Sequence, residues 1–243
     1  MLGTRLVIPR RGRDEGEKPF WISYADLMTA LMMLFLVVMA VALFAITSQN
    51  DRHEAEIEEC LGDFQSVIAN QPGVNLDAKN RRISFGERAR FANNDYNLST
   101  ESAQQLREFA PVVLKFADSA CGKKLLRRVV VEGYTSQTGS YLLNLDLSLK
   151  RAHSVLCALY DPPKADEQML TDIQKERIRE LFLVGGYSSN SARATNEESR
   201  RVEFKLEFWG IDVGPDERRT IPASSASQTP FGQCQLQRHA ISH

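Results

Sequence analysis

One carboxylate stands alone in apolar surroundings. Asp26 is the only acid between Lys18 and Asn50, with Ser23 and Tyr24 before it and Thr29 after it. Beside hydrocarbon the charged form of a carboxylate is disfavoured, so it can be neutral on one access route and ionised on another. An ion-carrying site needs that behaviour. Carrying such an acid to the centre of a membrane costs roughly 2.5–3.5 kcal/mol, while a membrane potential supplies roughly 2.3 kcal/mol per charge per 100 mV. Two plainer roles compete: a side chain reaching back to water, or a helix N-cap. Other reactive constellations are missing from the sequence. His53, His153, His239 and His243 are scattered, Gly185-Gly186 lacks a following Lys-Ser/Thr, and the four cysteines have no metal-ligand spacing. No enzyme, cofactor or metal is expected.

The element that positions Asp26 is an apolar run. From Leu27 to Ile46 there are twenty residues and no charge, about 30 Å as a helix and enough to cross a bilayer. Arg5, Arg10, Arg11, Arg13 and Lys18 precede the run; Asp51, Glu54, Glu56, Glu58 and Glu59 follow it, against Arg52 alone. This asymmetry predicts a cytoplasmic N-terminus, with the rest of the chain outside. Trp21 and Tyr24 fit an interfacial aromatic belt. A cleaved signal peptide would have a shorter apolar core and a better site than Thr47-Ser-Gln-Asn50.

The net charge of −1 gives no reason to expect nucleic-acid binding. The length leaves room for one medium-sized domain after the span. The expected map is a cytoplasmic tail over 1–19, a transmembrane helix over 20–47, a linker helix over 48–79, an α+β domain over 80–210 and a mostly disordered tail over 211–243. On the linker helix Ile57, Leu61, Phe64 and Ile68 form a stripe suited to a partner helix, such as a second copy, or to the chain's own domain. Pro72-Gly73 ends that helix. Strands are expected at 82–85, 127–133, 180–185 and 200–208, the last alternating with Val202, Phe204, Leu206 and Phe208 inward. Helices are expected at 100–118 with Ser99 as N-cap, at 141–160 and at 166–179; Pro111 is a kink or a boundary.

The segment Phe20-Trp-Ile-Ser-Tyr-Ala-Asp-Leu-Met-Thr-Ala-Leu-Met resembles the membrane signature of MotB-type stator subunits. The resemblance implies that Asp26 is the proton carrier of a rotary motor, with Ser23, Tyr24 and Thr29 as ion-path neighbours. It also implies two copies of this chain, a homodimer, inside five copies of a MotA-like membrane subunit.

A second resemblance covers about 80–210. Val131-Glu-Gly-Tyr-Thr-Ser-Gln-Thr-Gly139, Asn144-Leu-Asp-Leu-Ser-Leu-Lys-Arg-Ala152 and Asn196-Glu-Glu-Ser-Arg-Arg-Val202 are similar to motifs of the OmpA-type peptidoglycan-binding domain. The implied fold is a single N-terminal transmembrane helix followed by an α+β OmpA-C-like domain, with helices on a mixed sheet of about four strands. The implied wall-binding residues are Thr135, Ser136, Asn144, Leu147, Arg151 and Arg201, with Arg151 pairing a carboxylate of the peptide stem. Where the family carries His and Asp, this chain has Tyr134 and Ser136. The charge that meets the stem's amine is therefore missing, unless another acid such as Asp146 supplies it. In such a fold helix 141–160 runs back along strand 127–133. Cys157 is then expected to approach Cys121 and pair with it, leaving Cys60 and Cys234 to pair or stay free; buried thiols are the alternative.

The short segment between span and domain is closer to the MotB-like subunits of Zorya anti-phage defence systems than to flagellar stators. That implies a ZorA-like partner, and nuclease or helicase-like effectors in the same system. The implied location is the bacterial inner membrane, single-pass, with the C-terminal domain periplasmic. A flagellar stator subunit and a passive OmpA-type wall tether are the alternatives.

Overall fold

The computed structural model describes residues 18–160, 170–214, 230–234 and 236. The expected tails over 1–19 and 211–243, and the start of the helix expected from 166, lie largely outside these residues. The chain divides into two units, residues 1–52 and 53–243.

Helix α1 covers Lys18–Ile68. Its first part is rich in Ala, Leu and Met, all strong helix formers, and is long and apolar enough to cross a membrane. In the second unit α1 supplies Ile57, Leu61, Phe64 and Ile68, each no more than 2% exposed. Phe64 stacks on Phe116 with ring centroids 4.2 Å apart. This corrects the partner-helix reading, because the stripe is consumed by the chain's own core. Polar contacts fix the same segment: Glu54 pairs with Arg81, Glu56 with Lys124 at 2.6 Å, and His53 Nε2 donates to the Trp209 carbonyl at 2.8 Å.

A five-stranded mixed sheet follows, in the order β1-β2-β5-β3-β4. The strands are β1 (Asn75–Asp77), β2 (Arg82–Ser84), β3 (Leu126–Gly133), β4 (Phe182–Gly186) and β5 (Val202–Phe208). β3 and β4 are parallel, joined through helices α4 (Tyr141–Tyr160) and α5 (Asp172–Leu181); the other pairings are antiparallel. One strand more than expected is present. β1 has three residues, only Leu76 of them buried, too short and polar to show as a pattern.

Helix α2 (Thr100–Ala117) is capped by Ser99, whose hydroxyl accepts from the Ser102 N–H at 3.1 Å. It runs unbroken through Pro111, because Leu106, Phe109, Ala110, Val113 and Phe116 all bury against the core. Among the described residues two short α-helices escaped the sequence pattern, α3 (Ala120–Leu125) and α6 (Asn196–Ser199), as did a 3-10 turn at Gly86–Ala89. α4 presses onto the sheet at Ser148. A Cβ on Gly133 would meet the Ser148 carbonyl oxygen at 1.9 Å, and one on Gly186 would meet Ser148 Oγ at 2.9 Å. Glycine is required at both positions by this close approach.

The cysteine pairing differs from the expected one. The disulfides are Cys60–Cys121 and Cys157–Cys234, with Cα–Cα distances of 5.8 and 5.5 Å. Cys121 and Cys157 are not joined. Val155 and Leu159 lie on the buried face of α4. Cys157, two residues from each, points about 200° around the helix from that face, toward the C-terminal segment. The α1 stripe delivers Cys60 to Cys121 instead.

Candidate functional site

The two functional clusters lie in different units. In the first, Ser23, Asp26 and Thr29 recur at three-residue intervals on α1, so their polar atoms fall along one side. The Thr29 hydroxyl donates to the Asp26 carbonyl at 2.9 Å, which satisfies the hydroxyl within the helix. Tyr24, two residues from Asp26, lies about 200° around the helix from it, on nearly the opposite side. All the large apolar side chains from Leu27 to Ile46 are exposed. Such a surface suits hydrocarbon rather than water, and a helix is a form in which a chain can cross it with its backbone satisfied.

The second cluster is built where β3 turns into α4. Arg151, on α4, is 0% exposed. Its Nε–H donates to the Asp95 carbonyl at 2.8 Å, Nη1 to the Tyr134 carbonyl at 2.9 Å and Nη2 to the Ala92 carbonyl at 3.1 Å. The guanidinium also lies 5.0 Å from the Phe91 ring. One side chain thus fastens the 91–97 loop to the turn at Tyr134. Burial first, and the nearby Arg200 second, pull Arg151 down to about 10, while Asp95 opposes the shift.

Around this staple the other expected residues separate. Thr135 is 1% exposed; its N–H donates to the Ser188 carbonyl at 3.0 Å, and its hydroxyl has no partner among the described residues. The Ser136 hydroxyl lies 2.8 Å from that of Thr138, and Asn144 Nδ2 donates to the Thr138 carbonyl at 2.9 Å. Leu147 is half-buried on α4. Asp146 is exposed and paired with Lys150 at 2.7 Å.

Arg201 belongs to a different set. Its Nε donates to Glu203 at 2.7 Å, and its guanidinium stacks 4.2 Å from the Tyr134 ring. Glu132 and Glu203 face one another across β3 and β5, both nearly fully buried. Arg82 reaches them at 3.2 and 3.9 Å, and Arg193 pairs with Glu203 at 2.7 Å. The Tyr134 hydroxyl donates to Glu132 at 2.6 Å; burial, then that carboxylate, hold the phenol well above its usual range. Since the Cβ direction of Gly133 runs into Ser148 of α4, the period-2 alternation of β3 puts Glu132 and Tyr134 on the opposite side of the sheet. This network braces the loop from beneath.

Sequence reasoning missed the 91–97 loop and the Glu132–Glu203 network. Asn93-Asn94-Asp95-Tyr96-Asn97 carries turn chemistry, which was the available signal for the loop. Two glutamates in alternating strands look like solvent-facing residues until the arginines around them are placed. Among the described residues, His153 lies close to Cys157 and Cys234 in a way that could hold a metal, but both sulfurs are in a disulfide.

Residues 9–61 match the family described as membrane MotB of the proton-channel complex MotA/MotB, and residues 90–177 match the OmpA family. The chain is 42% identical over 220 residues to Zorya protein ZorB of Escherichia coli strain E24377A, covering 87% of this chain and 89% of that one. The chain belongs to the ZorB family. A second ZorB protein, from E. coli strain Crooks, is 23% identical over 232 residues, covering 85% of this chain and 93% of that one. The periplasmic domain of Helicobacter pylori MotB aligns over 54% of this chain and 80% of its own length, at 15% identity and a TM-score of 0.36. As a ZorB-family member with one apolar N-terminal helix, the chain is a single-pass, MotB-like membrane protein carrying an OmpA-like domain. These relatives bear the names of MotB-like and OmpA-like proteins rather than of enzymes.

Proposed function

We propose that this chain is the ion-conducting, wall-anchored stator subunit of a proton-driven rotary motor in anti-phage defence, with Asp26 as proton carrier. The observation that carries the reading is a lone acid opening the apolar part of α1, inside the segment that matches the MotB membrane family. Ser23 and Thr29 line its approach, with Tyr24 as an ion-path neighbour on the far side of the helix. Two copies of the chain stand among five MotA/ZorA-like subunits, and nuclease or helicase-like effectors act downstream. H+ is the translocated ion, and no cofactor takes part.

The OmpA-like domain holds peptidoglycan at the loops around Thr135, Ser136 and Asn144, with Leu147, Arg151 and Arg201 behind them. The N-terminus is cytoplasmic and the domain periplasmic, in the bacterial inner membrane. Two observations support this orientation: the basic residues before the span against the acidic ones after it, and two disulfides after it, which persist on an oxidising side.

Deleting the gene from its native host tests the reading. Phage plating should rise while swimming is unchanged, and protection by the intact gene should persist in sodium-free medium. Loss of swimming with no change in plating would make it a flagellar stator. Dependence on sodium would replace the ion.

A further inference from the structure

Ser136 leaves the wall-facing loops without the acid expected there, and the structure offers one candidate to replace it. Asp95 sits in the 91–97 loop with its side chain half-exposed. Its Oδ1 accepts from the Tyr96 N–H at 2.7 Å, the Asn97 N–H at 2.9 Å and Asn97 Nδ2 at 2.8 Å. These three donors fix the plane of the carboxylate. Oδ2 meets no donor among the described residues.

The position of Asp95 relative to the other loop is set by Arg151. One buried guanidinium takes the carbonyls of both Asp95 and Tyr134. The backbone of Asp95 is thereby held beside the turn that leads into Thr135 and Ser136, where the buried Thr135 hydroxyl has no partner among the described residues. The Ser136 hydroxyl is turned to Thr138 and supplies no charge. Asp146 is a poorer candidate, since Lys150 already neutralises it on the exposed side of α4.

We propose that Asp95 receives the side-chain ammonium of a peptidoglycan stem through its free Oδ2, in place of the charge Ser136 lacks. The inference rests on the wall-binding reading above. The ligand class is a peptide with a free amine on a diamino-acid side chain. Acylating that amine, as cross-linking does, removes the positive charge and the interaction.

The test uses the full chain in detergent, co-sedimented with purified sacculi. The sacculi compete with two soluble stem peptides, one with the side-chain amine free and one with it acetylated. The free-amine peptide should displace the chain at least about tenfold more effectively, the value of one charge-assisted hydrogen bond. Asp95→Asn keeps Oδ1 as an acceptor for the three loop donors and should erase this preference. Adding Ser136→Asp to that variant should restore it. Equal competition by the two peptides, or an unchanged preference in Asp95→Asn, overturns the role of Asp95 and leaves wall binding standing. A wild-type chain that does not sediment with sacculi removes the wall-binding reading, and this inference with it.

Discussion

Arg151 shows how an expected binding residue can be a structural one. Its guanidinium ties the carbonyls of Ala92, Asp95 and Tyr134 and has no surface to offer a ligand. Arg151→Ala should therefore cost about 3 kcal/mol or more in urea unfolding, since three carbonyls lose their donor. Arg151→Lys should rescue little of that loss, because one ammonium cannot span the fork of three acceptors. Unchanged stability with lost sacculus binding would instead make it a ligand contact. The phenols give a second prediction. Burial raises Tyr160 and Tyr187 to about 12 and raises Tyr134 further, with Glu132 adding to the shift in Tyr134 and Tyr187. A phenol raised in the fold keeps its proton longer there than in the unfolded chain, so its stabilisation is whole below the ordinary value of 10.0 and lost as pH climbs toward 12. Arg151, lowered from the ordinary guanidinium range to about 10, acts in the opposite sense over that window, as one group against three. Stability should fall above pH 10, with phenolate absorbance rising together with unfolding. More phenolate in the folded chain than the exposed Tyr24 and Tyr141 can supply would show the three phenols to be open to water.

At the scale of elements, the α1 stripe and the Cys60–Cys121 bond hold one layer of the domain. The cysteines are 61 residues apart, and a cross-link of that span stabilises by about 4 kcal/mol on the loop-entropy account. Replacing both by Ala should lower stability by that order. Phe64→Ala should cost about 3–5 kcal/mol as unfolding of the domain at any protein concentration. A loss that disappears on concentrating the protein would return the stripe to a chain–chain interface. Sequence periodicity showed that Ile57, Leu61, Phe64 and Ile68 share a face but not what covers it, because that is a property of packing. α2, α4, β3 and β5 were legible through caps, stripes and alternation. β1 was not, having a single buried residue. The disulfides were misread because strand–helix direction brings two backbones together without setting which way a side chain on the helix points. At the site, Arg151 could be picked out by type and spacing; its three backbone partners and the part played by Asp95 depended on the path of the 91–97 loop.

At the scale of the whole chain, the proposed function joins an ion-carrying span to a domain held outside the cytoplasm. All four cysteines are in disulfides. A thiol probe added to denatured, unreduced protein from cells should therefore label none of them, whereas ready labelling would place the domain on the reducing side. In that function the OmpA-like domain, held to the wall, gives the span something fixed to work against, and the apolar part of α1 is the domain's membrane anchor. In the proposed function Asp26 is the residue through which the proton passes. The most direct measurement is phage plating on cells carrying Asp26→Asn, with membrane level and partner co-purification followed in parallel. The account predicts that protection is lost while the variant still reaches the membrane and assembles. Full protection with Asn at that position would contradict it.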